Sequence, residues 1–200
     1  MRYRYVAIER EYGSGGTEIA RKLAEECGIP CYGREILETV AKEHKVSSET
    51  LEAYEERATN SFLYSIYLMS QVPMGETNLN SREGNLYLAE QRCIRRYAGE
   101  GPAVFLGHCA AAALRDKESV LKVFIGADME FRKQRSCQEY HLTEKQAEEN
   151  IRRFDKKRSV YFEANTARKW RDNTCYDLIL NSGMLGIDGC VAALKGILLL

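Results

Sequence analysis

Residues 9–18 read ERE-YGSGG-TE, set between the apolar run Tyr5-Val6-Ala7-Ile8 and the amphipathic stretch Ile19-Ala20-Arg21-Lys22-Leu23-Ala24. Three glycines within four residues cost conformational entropy on folding. A stretch so placed is therefore built for a backbone that turns sharply and brings its main-chain amides close to something. A buried strand, a glycine turn and a helix make the opening unit of a parallel sheet, because parallel strands need a crossover that packs back onto the sheet.

The remainder of the chain repeats that alternation. Apolar residues at 19, 20, 23, 24 and 27 line one face of a helix over 17–27, and Gly28 stands where a left-handed C-terminal cap belongs. Residues 29–32 read as extended and 34–43 as a helix, followed by an acidic stretch through Arg57 with a helical pattern. Turn formers over 72–82 predict a loop, and a further helix is expected over 82–97. Ala103 to Leu106, Leu121 to Ile125 and Asp177 to Asn181 read as strands, with helices over 128–139, 143–166 and 187–199. Continuous apolar strands alternating with helices predict an α/β fold with a parallel sheet covered on both faces. Ligands of such sheets bind outside the carboxyl ends of the strands, which is where the glycine turn leaves the first one.

Composition narrows the function classes. Two hundred residues, 44% of them hydrophobic, suit one domain with a single core. The 29 basic and 29 acidic residues balance, which argues against a general nucleic-acid or membrane-surface binder. The basic residues also lack the interleaved aromatics of a nucleic-acid platform. No uninterrupted apolar stretch reaches about 18 residues, the length of a transmembrane helix, and the first ten residues carry charges that a secretory segment would not. The seven scattered cysteines read as reduced apolar residues; Cys27 and Cys31 lack a second pair at zinc spacing. The expected location is the cytoplasm.

The glycine turn maps onto the phosphate-binding pattern G-x-x-x-x-G-K-[ST], in which backbone amides cradle phosphates, a lysine reaches the β/γ-phosphates and a hydroxyl meets magnesium. With Gly15 as the second glycine, Thr17 falls on the hydroxyl, Arg10 on the first glycine and Gly16 on the lysine. The lysine is therefore missing. The amides of Gly13, Ser14, Gly15, Gly16 and Thr17 and a helix N-terminus remain to bind an anion. Arg10 is the nearest cation and the candidate substitute; an ion pair with Glu9 or Glu11 is the competing role.

The run REYGSGGTEIARKLAEECGIPCYGREIL, followed in order by AVFLGHCAAAALRD, LKVFIGADMEFRKQR and YDLILNSGMLGIDG, resembles the cytidylate kinase-like family, a branch of the P-loop nucleoside monophosphate kinases. That family's glycine loop commonly lacks the lysine too. The resemblance implies a three-layer α/β/α sandwich around a five-stranded parallel sheet, in one domain over 1–200, with a monophosphate-binding insert at about 38–85 and a lid at about 137–165. It implies ATP and Mg²⁺ as cofactors, small-molecule nucleotides as partners, and transfer of a γ-phosphoryl to an acceptor such as CMP. The loop would hold the ATP phosphates, with Thr17 at Mg²⁺. Two departures stand out. Gly107-His108-Cys109 replaces the family's Gly-Arg-Asp or Gly-Arg-Cys, and a histidine lacks the permanent forked charge of arginine. Tyr32-Gly33-Arg34 stands where relatives often carry Tyr-Asp before the basic residue.

Between residues 152 and 171 eight basic residues face two acids. Phosphoryl transfer asks a protein mainly for positioning and for neutralising the γ-phosphoryl oxygens, work that arginines do from a closing lid. Arg132 and Arg135, three apart on one helix face, and Arg153 and Arg158 are the candidates, with Asp155 expected to orient Arg158. The match to the lid signature Arg-x-x-x-Asp-x-x-Arg is partial, since Ile151 occupies its first position. Lys156, Lys157 and Lys169 read as a solvated face. Arg34 is either a ligand for the acceptor's phosphate or a surface arginine at a helix start. His108, the one histidine following a strand, is a candidate acceptor contact or a loop histidine. Phe62, Leu63, Tyr64 and Tyr67 form an apolar stripe, read as packing of the insert or a homodimer surface. Two rival functions are carried forward: a nucleotide-binding regulator that keeps the fold without turnover, and a small-molecule kinase with a non-nucleotide acceptor.

Overall fold

The computed structural model describes residues 3–44 and 82–199. Most of the expected monophosphate insert, including the helical pattern through Arg57, the 62–67 stripe and the 72–81 part of the loop, lies outside the described residues. In chain order the elements are β1 (Tyr5–Arg10), α1 (Gly16–Cys27), β2 (Cys31–Tyr32), α2 (Arg34–His44), α3 (Arg82–Glu100), β3 (Ala103–Leu106), α4 (Ala110–Ala113), β4 (Val120–Gly126), α5 (Met129–Tyr140), α6 (Glu144–Thr166), a 3-10 turn (Asn173–Cys175), β5 (Leu178–Asn181) and α7 (Ser182–Leu199). The five strands pair in parallel in the order β2-β3-β1-β4-β5. All their carboxyl ends therefore lie along one edge.

Period-two alternation sorts β1 between two cores. Val6 and Ile8 pack with Ile19, Ala20 and Leu23 of α1 and with Val191, Leu194 and Leu198 of α7. Tyr5 and Ala7 pack with Ile36 and Val40 of α2, Ile94 and Ala98 of α3, and Phe105 of β3. These are the three layers expected of the α/β sandwich. A third cluster of Phe124, Phe162, Trp170, Cys109 and Cys175 fastens the far end of α6 to the sheet edge where the strands terminate.

Local chemistry sets the ends of the helices. Gly28 (φ 64°) closes α1, with Ile29 N–H donating to the Ala24 carbonyl at 3.0 Å. The Asp128 carboxylate accepts Phe131 N–H at 2.8 Å at the start of α5. Thr143 and Gln146 exchange hydrogen bonds in a capping box that starts α6. Three elements differ from the sequence expectation. β1 continues past Ile8 to Arg10, because its ladder with β4 runs on to Ile125 although the side chains have turned polar. A four-residue helix, α4, follows β3. The last helix begins at Ser182 and breaks at Gly186 (φ 69°, ψ 173°), so the expected 187–199 helix is its second part.

Leu23 is fully buried between α1 and the sheet. Leu23→Ala is expected to cost about 2–5 kcal/mol, read as a lower urea midpoint with an unchanged slope in equilibrium unfolding.

Candidate functional site

The glycine loop is held by its own serine and by two neighbouring helices. Ser14 is completely buried; its hydroxyl donates to the Glu11 carbonyl at 2.8 Å, and its own carbonyl accepts the buried Ser182 hydroxyl at 2.6 Å. Gly13 and Gly15 have φ of 77° and 76°, a region that side chains rarely adopt. A Cβ on Gly13 would lie 2.7 Å from both the Arg132 carbonyl and the Ser136 hydroxyl of α5, and one on Gly15 would strike Ile187 of α7. Gly15 precedes α1 without a side-chain cap, so the first-turn amides of a 12-residue helix face the loop with the positive end of its dipole.

A buried ion cluster fixes the other side of the loop. Arg132, 4% exposed, donates to Asp155 Oδ2 at 2.6 Å and to the Tyr12 carbonyl at 3.3 Å, with Glu11 3.6 Å away. Tyr12 N–H donates to Asp155 Oδ1 at 2.8 Å. Arg171 reaches Glu11 at 2.5 Å and Asp155 at 3.1 Å. Tyr12 stacks on Phe154, ring centroids 4.8 Å apart and 11° from parallel. Both Asp155 oxygens thus serve the loop and two arginines, whereas Arg158 donates to the Arg10 carbonyl at 3.0 Å. The expectation that Asp155 orients Arg158 gives way to this arrangement: Arg132 and Asp155 position the loop.

Two cavities open at the strand ends. One, about 530 Å³, is bounded by Gly13, Gly15, Gly16, Glu18, Arg135 and Tyr140. The other, about 540 Å³, lies towards β2 and is bounded by Glu9, Arg34, His108, Lys157 and Phe162. Arg10, Thr17, Arg21 and Arg158 border both, so the cavities meet over the start of α1. Of the residues singled out in the sequence, Arg10, Gly13, Gly15, Gly16, Thr17, Arg135 and Arg158 come together on the loop cavity, with Ser14 buried beneath it. Arg34 and His108 border the second. Arg153 borders neither; it lies over the Phe154 ring at 4.7 Å and donates to Asn150 at 3.2 Å.

Partners modulate these charges. Arg135 pairs with Glu18 at 2.5 Å and, at 3.8 Å, with Glu139. Arg34 pairs with Glu38 at 3.1 Å, but both are mostly exposed, so the pair adds little and yields readily to a ligand. His108 Nδ1 lies 3.4 Å from the carboxylate of Glu90, a buried residue of α3 that also accepts the Tyr161 hydroxyl of α6. Several bordering residues escaped the sequence reading, among them Arg21, Lys157 and Glu9. Arg21 stands four after Thr17, so helical spacing alone could have placed the two on one face. Lys157 was assigned to a solvated face because nothing local distinguishes it from Lys156. Glu9 enters the sequence reading only as an ion-pair partner for Arg10; it is buried, accepts Trp170 Nε1–H at 3.4 Å, and its carboxyl is pushed up from the ordinary 4.5 by burial, against the pull of Arg10. Burial also pushes the Cys31 thiol on the second cavity up to about 11, so it is not a nucleophile at neutral pH. Among the described residues no group of three or more His, Cys, Asp or Glu could hold a metal ion, and no helix is long and apolar enough to cross a membrane.

Asp155→Ala would strand the Arg132 charge and is expected to cost about 3–5 kcal/mol. The double replacement Arg132→Met with Asp155→Leu should cost distinctly less, measured by urea unfolding of all three variants. Glu9 gives a pH signature. Its folded pKa lies above the unfolded one, so the native state binds the extra proton, and stability falls as pH rises from about 4.5 through the folded value. Glu9→Gln removes that slope, and its stability relative to the wild type should rise between pH 4 and pH 8.

Comparison with known proteins agrees with this geometry. A family model described as "Cytidylate kinase-like family" matches residues 5–184. No curated protein sequence matches the chain. Among solved structures, an uncharacterized protein from Eubacterium ventriosum ATCC 27560 superposes with a TM-score of 0.72 at 25% identity, covering 96% of each chain. Shikimate kinase from Bacteroides thetaiotaomicron gives 0.56 at 14% identity over 98% of each chain. TT1252 from Thermus thermophilus gives 0.54 at 20% identity, over 97% of this chain and 95% of that one. The last two show the fold alone, that of the P-loop kinases. With a glycine loop, five parallel strands in this order and a family match over nine-tenths of its length, the chain belongs to the cytidylate kinase-like family.

Proposed function

We propose that this chain is an ATP-dependent phosphotransferase that moves the γ-phosphoryl of ATP to a nucleoside monophosphate such as CMP. The observation that carries the reading is the meeting of two cavities of similar size at Arg10, Thr17, Arg21 and Arg158, directly over the N-terminus of α1. A donor in the loop cavity and an acceptor in the other would present their reacting phosphates to each other there.

The amides of Gly13 to Thr17 would hold the donor's phosphates with no reorganisation, since Ser14, Ser182 and the Arg132–Asp155 pair already fix the loop. Thr17 would contribute its hydroxyl to a Mg²⁺ that arrives with the triphosphate. The residues fit that role, because Mg²⁺ binds largely through substrate phosphates and water, with few protein ligands. The ion would supply charge neutralisation at the phosphate oxygens. Arg158, Arg21 and Arg135 would offset the negative charge of the transferred group, and Arg34, released from Glu38, would take the acceptor's phosphate. Arg132, Asp155 and Arg153 act through the loop and the lid. His108, held against Glu90, would border the acceptor where the family carries a guanidinium. That substitution favours a second reading, a nucleotide-binding regulator with little turnover; a non-nucleotide acceptor is the third.

A coupled assay with ATP, Mg²⁺ and CMP, dCMP, UMP or small hydroxyl compounds separates them. Turnover with CMP, reduced about 10–100-fold in kcat by Arg158→Met, is expected, the loss of one charge-assisted contact of about 1.5–3 kcal/mol. ATP binding without turnover for any acceptor would select the regulator.

A further inference from the structure

The missing lysine and the missing first glycine of the phosphate loop have one cause. In the pattern G-x-x-x-x-G-K-[ST] the first glycine falls on position 10 and the lysine on position 16. Here position 10 is arginine and position 16 is glycine. The two positions touch. A Cβ built on Gly16 would lie 2.5 Å from Arg10 Cβ and 2.9 Å from its Cγ, closer than real carbons approach. The clash is with the root of the arginine, which cannot swing aside as a side-chain tip could. Only one of these two positions can carry a side chain while the loop keeps its course.

Resting on the phosphotransferase reading, we infer that cation and glycine have exchanged places in this loop: Arg10 supplies the donor-phosphate charge that lysine supplies from position 16, and Gly16 is the clearance Arg10 requires.

Three further observations place the guanidinium for that work. Its Nη1 lies 2.4 Å from where a Cβ on Gly107 would stand, and Gly107 has φ of 78°, so a second glycine, in the loop after β3, leaves room for the head of the same side chain. Arg10 borders both cavities. Its carbonyl accepts the Arg158 guanidinium of the lid helix at 3.0 Å, which fixes the backbone from which the side chain springs. The competing role is an attraction to Glu9, whose buried carboxyl does feel the Arg10 charge, and not to Glu11. Glu11 is engaged by Arg171 at 2.5 Å, by Arg132 at 3.6 Å and by Ala127 N–H at 3.2 Å, while Glu9 takes the Trp170 indole. A guanidinium also differs from an ammonium in kind. Its planar fork can meet two phosphate groups at once, which suits a residue at the junction of two sites.

The test uses the full chain, calorimetric titration with AMP-PNP and Mg²⁺, and thermal melts of every variant. Arg10→Ala should weaken AMP-PNP binding about 10–100-fold, the effect of one charge-assisted contact. The exchange variant R10G/G16K should recover most of that loss, whereas G16K alone should lower Tm and bind poorly. The steric half is read separately: Gly16→Ala should lower Tm in the wild type and in Arg10→Ala, which keeps the Cβ, and should be tolerated in Arg10→Gly. Wild-type binding that Arg10→Ala leaves unchanged would overturn the cation assignment and spare the phosphotransferase reading. A wild type that binds no AMP-PNP would overturn both. A Gly16→Ala variant as stable as the wild type would overturn the exclusion between the two positions.

Discussion

Asp155 sits where α6, the glycine loop and α5 converge, and the course of the loop depends on its two oxygens. One holds the Tyr12 amide; the other holds Arg132 and Arg171, which also engage Glu11. Two acids and two arginines balance in charge. Arg132, Asp155 and Glu11 are largely buried and Arg171, 57% exposed, completes the balance from the surface, so each charge has a partner. Replacing it with apolar side chains would be tolerable for stability. What the ions add is direction, because hydrogen bonds at fixed angles set where Tyr12 and Gly13 run, and the loop amides follow from that.

A chain with no net charge places both signs of charge around its cavities, and pairing decides what each can do. Arg10, Arg21, Arg34, Lys157 and Arg158 border the cavities together with acids such as Glu9, Glu18, Glu35 and Glu38, several of them already paired. Glu90 serves His108 and Tyr161, Glu163 serves Lys169, and Glu11 is inside the cluster. Glu9 also borders the second cavity, and burial favours its neutral form. Local fields arise from how charges are paired rather than from how many there are.

Most of the scaffold could be read from the residues alone. The strands announced themselves as short β-branched and aromatic runs, and α1 by its apolar spacing and Gly28. Even the Thr143–Gln146 capping box was implicit in the expected start at 143. Boundaries drifted where hydrophobicity and hydrogen bonding part company. β1 runs two residues further than hydrophobicity suggested because the ladder carries Glu9 and Arg10 to the site. The glycine loop was legible as a sharp turn that brings its amides to the start of α1. The division of labour among the arginines was not: Arg132 is locked away, Arg153 lies on Phe154, and Arg171, counted only as part of a basic run, closes the cluster from the surface.

The sequence by itself determined the sandwich, the loop and the family, because these rest on periodicity and on residues contiguous in the chain. Only the tertiary structure decided which charges face the cavities and which are spent on one another. Asp155 and Tyr12 are 143 residues apart, and Arg10 and Arg158 148. A side chain's partner across such a separation depends on how helices pack, which no local pattern encodes. The exclusion between positions 10 and 16 belongs to the same class. Each residue is visible in the sequence, but that they compete for one space follows from the turn of the backbone between them.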